Sequence, residues 1–328
     1  MNNKIRFTLI AIIIFVLFES ILTTNTLAKS VFIEQIEEQF IVVDINGNGD
    51  FKKITEALVN APAGSTIYIK KGEYKEIIDI KNQIKLLGED KKSTIINPIS
   101  EKNKYAIRLG ASDIVIQNLG IKNDAPGLYS TGIKVTSSNI EIKNCNIFET
   151  PIGIAIWTSN NLIKNCTFWR CNDEGIALIG SSYFECKNNK IINCKFYQNC
   201  DGIELQYSSD NKILDCDFYD NTHTGIDAIL NSNNNNIISN CKIYNNEVNG
   251  IFFSSSSENK IIDCLIYKND DGNLITSGNS KNNQILSSSE LKKEVFTISH
   301  VKIINNILKK ISNNLINKII VLFESTLF

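Results

Sequence analysis

Between about residues 130 and 275 the apolar positions alternate with polar ones in pieces of three to five residues, and the pieces recur on a fixed beat. The pair Gly-Ile appears at Gly132, Gly153, Gly175, Gly202, Gly225 and Gly250, at intervals of 21 to 27 residues, and Gly272-Asn273 continues the series. A second element, Asn/Asp-Cys-x-apolar-aromatic or its close variant, keeps the same beat at Cys145, Cys166, Cys194, Cys216, Cys241 and Cys264. Each unit holds three short alternating stretches, as in Ile203-x-Leu205, Ile213-Leu214 and Cys216-x-Phe218, separated by Asn, Asp, Ser and Gly. Period-two alternation without i, i+3, i+4 spacing predicts strands, not helices. One such unit is too small to bury its own apolar face, and stacking units buries it. The pattern predicts an all-β, parallel β-helix over residues 66–290, with equivalent residues of successive coils about 4.8 Å apart. The longest interval holds Gly180 to Lys187, which is expected to be a loop insertion between strands.

The flanks read differently. Residues 1–28 resemble an export signal, with Lys4 and Arg6 before the uncharged run Phe7 to Phe18 and small residues near Ala28. The mature chain is therefore expected to be secreted or at the cell surface. Residues 29–65 form an N-terminal cap, in which Asp50 is placed to N-cap a short helix with Phe51, Ile54 and Leu58 as its apolar stripe, ending before Pro62. Residues 291–328 carry apolar positions at 304, 307, 308, 311, 315 and 319 beside Lys302, Lys309, Lys310 and Lys318. This reads as an amphipathic helix that either caps the last coil or lies on a membrane or partner surface.

The nine cysteines of an exported chain suggest disulfides, but six of them share one repeat position. Those six are expected to point inward as a reduced, packed ladder. Cys171 and Cys200 fall outside the column and are the better candidates for a bond. No CxxC or His/Cys spacing indicates zinc. A net charge of -1 gives no global basic field for nucleic acid.

The segment Val43 to Leu58, its continuation Ala61 to Glu76, and Ile84-Lys85-Leu86-Leu87-Gly88 resemble the N-terminal motif of pectin methylesterases and pectate lyases. The repeats from Gly132 onward resemble those of the same pectin-lyase-like superfamily, NosD-like proteins included. The resemblance implies a right-handed β-helix and an acidic polysaccharide as partner. The methylesterase Gln-Asp-Thr and Asp-Phe-Ile-Phe-Gly elements have no match in register, and the polygalacturonase Arg-Ile-Lys element is absent.

Alternation sorts the candidate chemistry. In Gly-Ile-x-apolar-x the two x positions point outward on one sheet, toward solvent. That double column reads Lys134/Thr136, Ala155/Trp157, Ala177/Ile179, Glu204/Gln206, Asp227/Ile229 and Phe252/Ser254, and the preceding turns add Asp173, Glu174, Asp201 and His223. Glu204, Asp227, Asp201 and His223 are the catalytic candidates. Trp157, Glu174, Gln206, Phe252 and Arg170 are the substrate-binding candidates, with Arg170 as a lyase base or a clamp for a uronate. Close carboxylates suit either a general acid/base pair or a calcium site made of Asp201, Glu204 and Asp227. Two function classes remain: a carbohydrate-active lyase, hydrolase or epimerase on an acidic polysaccharide, and a non-catalytic surface β-helix binding a glycan or protein partner.

Overall fold

A computed structural model of the chain describes residues 40–287, apart from 100, 101, 103, 128, 185 and 230–234. The export signal and the amphipathic helix predicted for 291–328 lie outside the described residues. Among the described residues, no helix is long and apolar enough to cross a membrane.

The alternating stretches form a right-handed parallel β-solenoid. Each coil contributes one strand to each of three parallel sheets: an 11-stranded sheet A and two 9-stranded sheets, B and C. In one coil these are Lys190–Ile192 in A, Lys195–Tyr197 in B and Asp201–Gln206 in C. Residues pair one coil apart throughout, so Ile176, Ile203, Ile226 and Ile251 form one inward column. Phe168, Phe196 and Phe218 stack with ring centroids 4.7 Å apart, one ring per coil.

Corners are made by residues in the left-handed region, where Asn and Asp cost least. The residue before each ladder cysteine supplies one corner: Asn144, Asn165, Asn193, Asp215, Asn240 and Asp263 have φ between 51° and 57°. The glycine of Gly-Ile is needed for a different reason. A Cβ on Gly202 would sit 2.4 Å from the carbonyl oxygen of Gly225 and 2.6 Å from the Phe218 ring, so only hydrogen fits there.

The cysteine column is buried as expected. Each of its thiols lies 3.1–3.4 Å from the carbonyl oxygen two residues back and donates to it. Burial pushes the thiols of Cys145 and Cys194 well above their ordinary value, so they pack as neutral groups.

Two asparagine ladders, buried except at Asn283, complete the corners. Asn161, Asn189, Asn211, Asn236, Asn259 and Asn283 pass side-chain amide bonds of 2.9–3.1 Å from coil to coil. Asn199, Asn221, Asn246 and Asn269 form the second, at 2.8–3.1 Å. The same side-chain oxygens also accept backbone N–H groups that the strands leave unpaired, as Asn221 does for Asn199 at 3.1 Å. Those donors would otherwise be buried and unsatisfied.

Three expectations need correction. The short helix runs Ile54–Asn60 and Lys53, not Asp50, stands at its N-cap. Its first N–H groups are taken by Glu76, which accepts from Ile54 at 2.9 Å and from Thr55 at 3.0 Å. Asp50 instead accepts from the Val42 N–H at 2.8 Å. The Gly180–Lys187 insertion is not all loop, because Cys186–Lys187 pairs with Ser208–Ser209 as a small fourth sheet. Finally, all nine cysteines are free, Cys171 and Cys200 included. Cys171 occupies the ladder position taken one coil later by Asn199, since Trp169 pairs with Tyr197. Cys200 is therefore one residue out of step, where the alternating chain turns its side chain away.

Cys216→Asp places a charge in the packed column and is expected to lower stability by about 3 kcal/mol or more. Asn221→Ala strips Asn199 of its acceptor and should cost about 1–3 kcal/mol. Urea denaturation checks both; a wild-type midpoint in Cys216→Asp would contradict the inward column.

Candidate functional site

The outer face of sheet C carries one column whose chemistry changes along the solenoid. In register it reads Asp79, Arg108, Lys134, Ala155, Ala177, Glu204, Asp227, Phe252 and Ile275. At its head Arg108 donates two bonds to Asp79, at 2.8 and 3.1 Å. In the middle, Ala155, Ala177 and Ile152 form a small apolar cluster outside the solenoid core, with Trp157 and Ile179 packed on it. The Lys134 ammonium stands over the Trp157 ring, 4.9 Å from its centroid.

Beyond the alanines come the carboxylates. Glu204 and Asp227 pair in register on adjacent coils, and one carboxylate oxygen from each of Asp201, Glu204 and Asp227 lies within 4.8 Å of the others. Glu174 pairs in register with Asp201. These groups were expected to face solvent. Instead Glu174, Asp201, Glu204 and Asp227 are only 6, 5, 9 and 6% exposed. Being outward on a strand fixes direction and not exposure.

Hydrogen bonding within the site is uneven. Asp201 Oδ1 accepts the Thr224 N–H at 2.8 Å and lies 2.8 Å from His223 Nδ1. Gln206 donates to Glu204, and the Gln206 carbonyl accepts the Gly180 N–H at the base of the insertion. Glu174 Oε2 and Asp227 Oδ1 are buried with no partner. An isolated buried carboxylate keeps its proton. Burial, then the charges of Asp173 and Glu204, push Glu174 up to about 9. Burial, then Asp201 and Glu204, push Asp227 up to about 7. Burial also raises Glu204 and Asp201, opposed by the Gln206 and Glu174 bonds at Glu204 and by His223 at Asp201. The site thus holds carboxyl groups of different proton affinity side by side, which is what paired acid and base work requires.

The remaining candidates divide. Phe252 follows Asp227 in the column, and Trp157 stands on the apolar side of Glu204. Arg170 is not with the carboxylates. It lies in a left-handed corner with φ 54° and reaches Glu149 at 3.4 Å, while Lys122 holds Glu149 at 2.6 Å. Its setting is a groove of about 730 Å³ along the turns between sheets B and C, lined by Asp124, Pro126, Glu149, Pro151, Arg170 and Asp173. Burial, then the Asp201 charge, raises the Asp173 carboxyl.

One member of the site was missed as a functional residue. Cys200, half-buried, places its sulfur within 4.8 Å of donor atoms of both Asp201 and His223. His223 is on the next coil, so no short Cys/His spacing announces the group. Burial, then the Asp201 and Asp173 charges, push the Cys200 thiol up to about 11.

With the solenoid and its carboxylate column established, comparison with known proteins gives the family. The family described as "Pel9A-like, right handed beta helix region" matches residues 46–210, half of the chain, and a general right-handed β-helix family matches 183–289. The chain belongs to the Pel9A-like right-handed β-helix family. Pectinesterase/pectinesterase inhibitor 18 of Arabidopsis thaliana is 32% identical over 123 residues, 33% of this chain and 22% of that protein. The matched stretch is thus about a fifth of that relative's length. Among solved structures, the ORF18 protein of Geobacillus virus E2 shares the fold with a TM-score of 0.53 at 16% identity, over 79% of this chain and 63% of that one. The periplasmic alginate epimerase AlgG gives 0.51 at 14% identity, over 69% and 61%.

The retained protons set a pH dependence. The folded chain holds protons on Asp227 and Glu174 where an unfolded Asp or Glu has lost them, so unfolding releases protons. Stability therefore falls as pH rises from the ordinary carboxylate range through about 7 for Asp227 and about 9 for Glu174. Thermal melts should show a lower Tm near pH 9 than near pH 5. The double variant Glu174→Gln, Asp227→Asn should flatten that slope; an unchanged slope would contradict the retained protons.

Proposed function

We propose that the chain binds and processes an acidic, uronate-type polysaccharide laid along the outer face of sheet C. The observation that carries this reading is the replacement of Ala155 and Ala177 by the converging, mostly buried carboxyls of Glu204 and Asp227 in one column. The pectinesterase relative supports a pectin-like substrate class. Lys134 offers a cation to a substrate carboxylate, the shelf around Trp157 offers apolar contact to a sugar ring, and Phe252 bounds the far side. Glu174, which retains its proton, is the general acid, and Glu204, joined by Asp227 where it ionises above about pH 7, is placed to take a proton from the sugar. Proton removal and return at a uronate residue is common to a lyase and an epimerase; proton donation to a leaving oxygen is common to a lyase and a hydrolase.

A second reading of the same cluster is a calcium site. Asp227 Oδ1, buried and without a partner, fits it, as do three carboxylates within 4.8 Å. Asp201, Glu204 and Asp227 would hold the ion, which would supply charge neutralisation between the cluster and an acidic polymer. The C-terminal segment plays no part in this proposal. Export to the cell exterior, expected from residues 1–28, is consistent with a polymer substrate.

The test is turnover and binding of polygalacturonate and alginate by the full chain, with calcium and with chelator. Glu204→Gln or Asp227→Asn should cut turnover by roughly 10²-fold or more with polymer still bound. Trp157→Ala should weaken binding by about 1–3 kcal/mol. If the carboxylate variants bind like wild type and no polymer is altered by any form, the chain is a binding module. Failure to bind any acidic polymer would refute the proposal.

A further inference from the structure

A donor set of a different kind adjoins the carboxylates. Cys200, Asp201 and His223 each bring one donor atom within 4.8 Å of the other two. The three come from two consecutive coils at the turn that enters sheet C, and the register of the solenoid holds them together: the His223 N–H is donated to the Cys200 carbonyl at 3.0 Å, and the Thr224 N–H to Asp201 at 2.8 Å. Asp201 is 5% exposed, whereas the His223 side chain is 43% exposed, so the group opens to solvent on one side. Asp227 lies in the adjoining carboxylate set, which shares Asp201 with this one. Its carboxylate approaches Asp201 within 4.8 Å, the residue is 6% exposed, and its buried Oδ1 has no partner.

Donor chemistry selects the ion. Calcium prefers oxygen ligands, and a set made only of Asp201, Glu204 and Asp227 suits it. Thiolate and imidazole favour a borderline metal of the zinc class, which takes Cys, His and Asp together and leaves a fourth position for water or another oxygen when only three protein ligands are present. We propose that Cys200, Asp201 and His223 form a binding site for a zinc-class divalent ion, open to solvent on the His223 side. On binding, the Cys200 thiol loses its proton to solvent and its sulfur bonds the metal. Because Asp201 belongs to both donor sets, a zinc-class ion here and a hard cation on the carboxylates compete for one side chain.

This proposal goes beyond the polysaccharide reading and stands or falls separately from it. The experiment uses the full chain, reduced and freed of metal, titrated with Co2+ as a spectroscopic probe. A thiolate-to-cobalt charge-transfer band should appear, be bleached by one equivalent of Zn2+, and be weakened by Ca2+ only at a large excess, through the shared Asp201. Cys200→Ser should lose the band, His223→Ala should weaken cobalt binding by roughly tenfold or more, and Cys171→Ala, a thiol outside the set, should keep it. Circular dichroism confirms that each variant folds. No band in the wild-type chain, or a band that survives in Cys200→Ser, would overturn the proposal. Neither result alters polymer binding by the same preparation, which tests the other reading.

Discussion

The structure depends on one constraint: each residue must be compatible with its own counterpart one coil above and one below. Parallel strands at about 4.8 Å bring equivalent side chains into contact, and the solenoid answers with like on like. Phe stacks on Phe, Ile on Ile, Cys on Cys and Asn on Asn. The Asn ladders show why this is more than packing. A corner leaves backbone N–H groups without a strand partner, and an Asn oxygen from the next coil accepts them while its own amide passes the contact onward. Stability is thereby distributed along the axis, nearest neighbour by nearest neighbour.

The same rule marks where function departs from structure. Like charges stacked at coil spacing repel, and burial adds a desolvation cost. A column that places Glu204 on Asp227, with Glu174 and Asp201 alongside, breaks the rule on several coils at once. The protein tolerates it by leaving protons on part of the set and by supplying donors to another part. His223 and the Thr224 N–H serve Asp201, and Gln206 serves Glu204. What remains unsatisfied, Glu174 Oε2 and Asp227 Oδ1, is what a substrate or ion can use.

Much of this was legible in the sequence because it is periodic. The Gly-Ile and Asn/Asp-Cys beats placed strands, the inward cysteine column and the adjacency of Glu204 and Asp227, since alternation and register suffice for those. Features that depend on neighbours outside the period were not legible. Glu76 caps the helix from 22 residues away, where local capping logic points to Asp50. The burial of the outward carboxyls does not follow from alternation, which sets only the direction of a side chain. Cys200 looked like a disulfide partner of Cys171 because both lie in neighbouring turns. The step that separates them would have followed from aligning Cys171 with Asn199 on the asparagine beat, a signal present in the sequence as the recurring Asn at 199, 221, 246 and 269.

The central claim is that the outer face of sheet C, from Lys134 to Phe252, is where a sugar polymer meets the protein. A crystal structure of Glu204→Gln soaked with a short oligouronate tests it most directly. The account predicts sugar density over Ala155 and Ala177, between Trp157 and Phe252, with a ring against residue 204 and a carboxylate near Lys134. An oligouronate seated instead along the exposed edges of the Tyr197, Tyr219, Tyr244 and Tyr267 stack on sheet B, with the sheet C face bare, would contradict it.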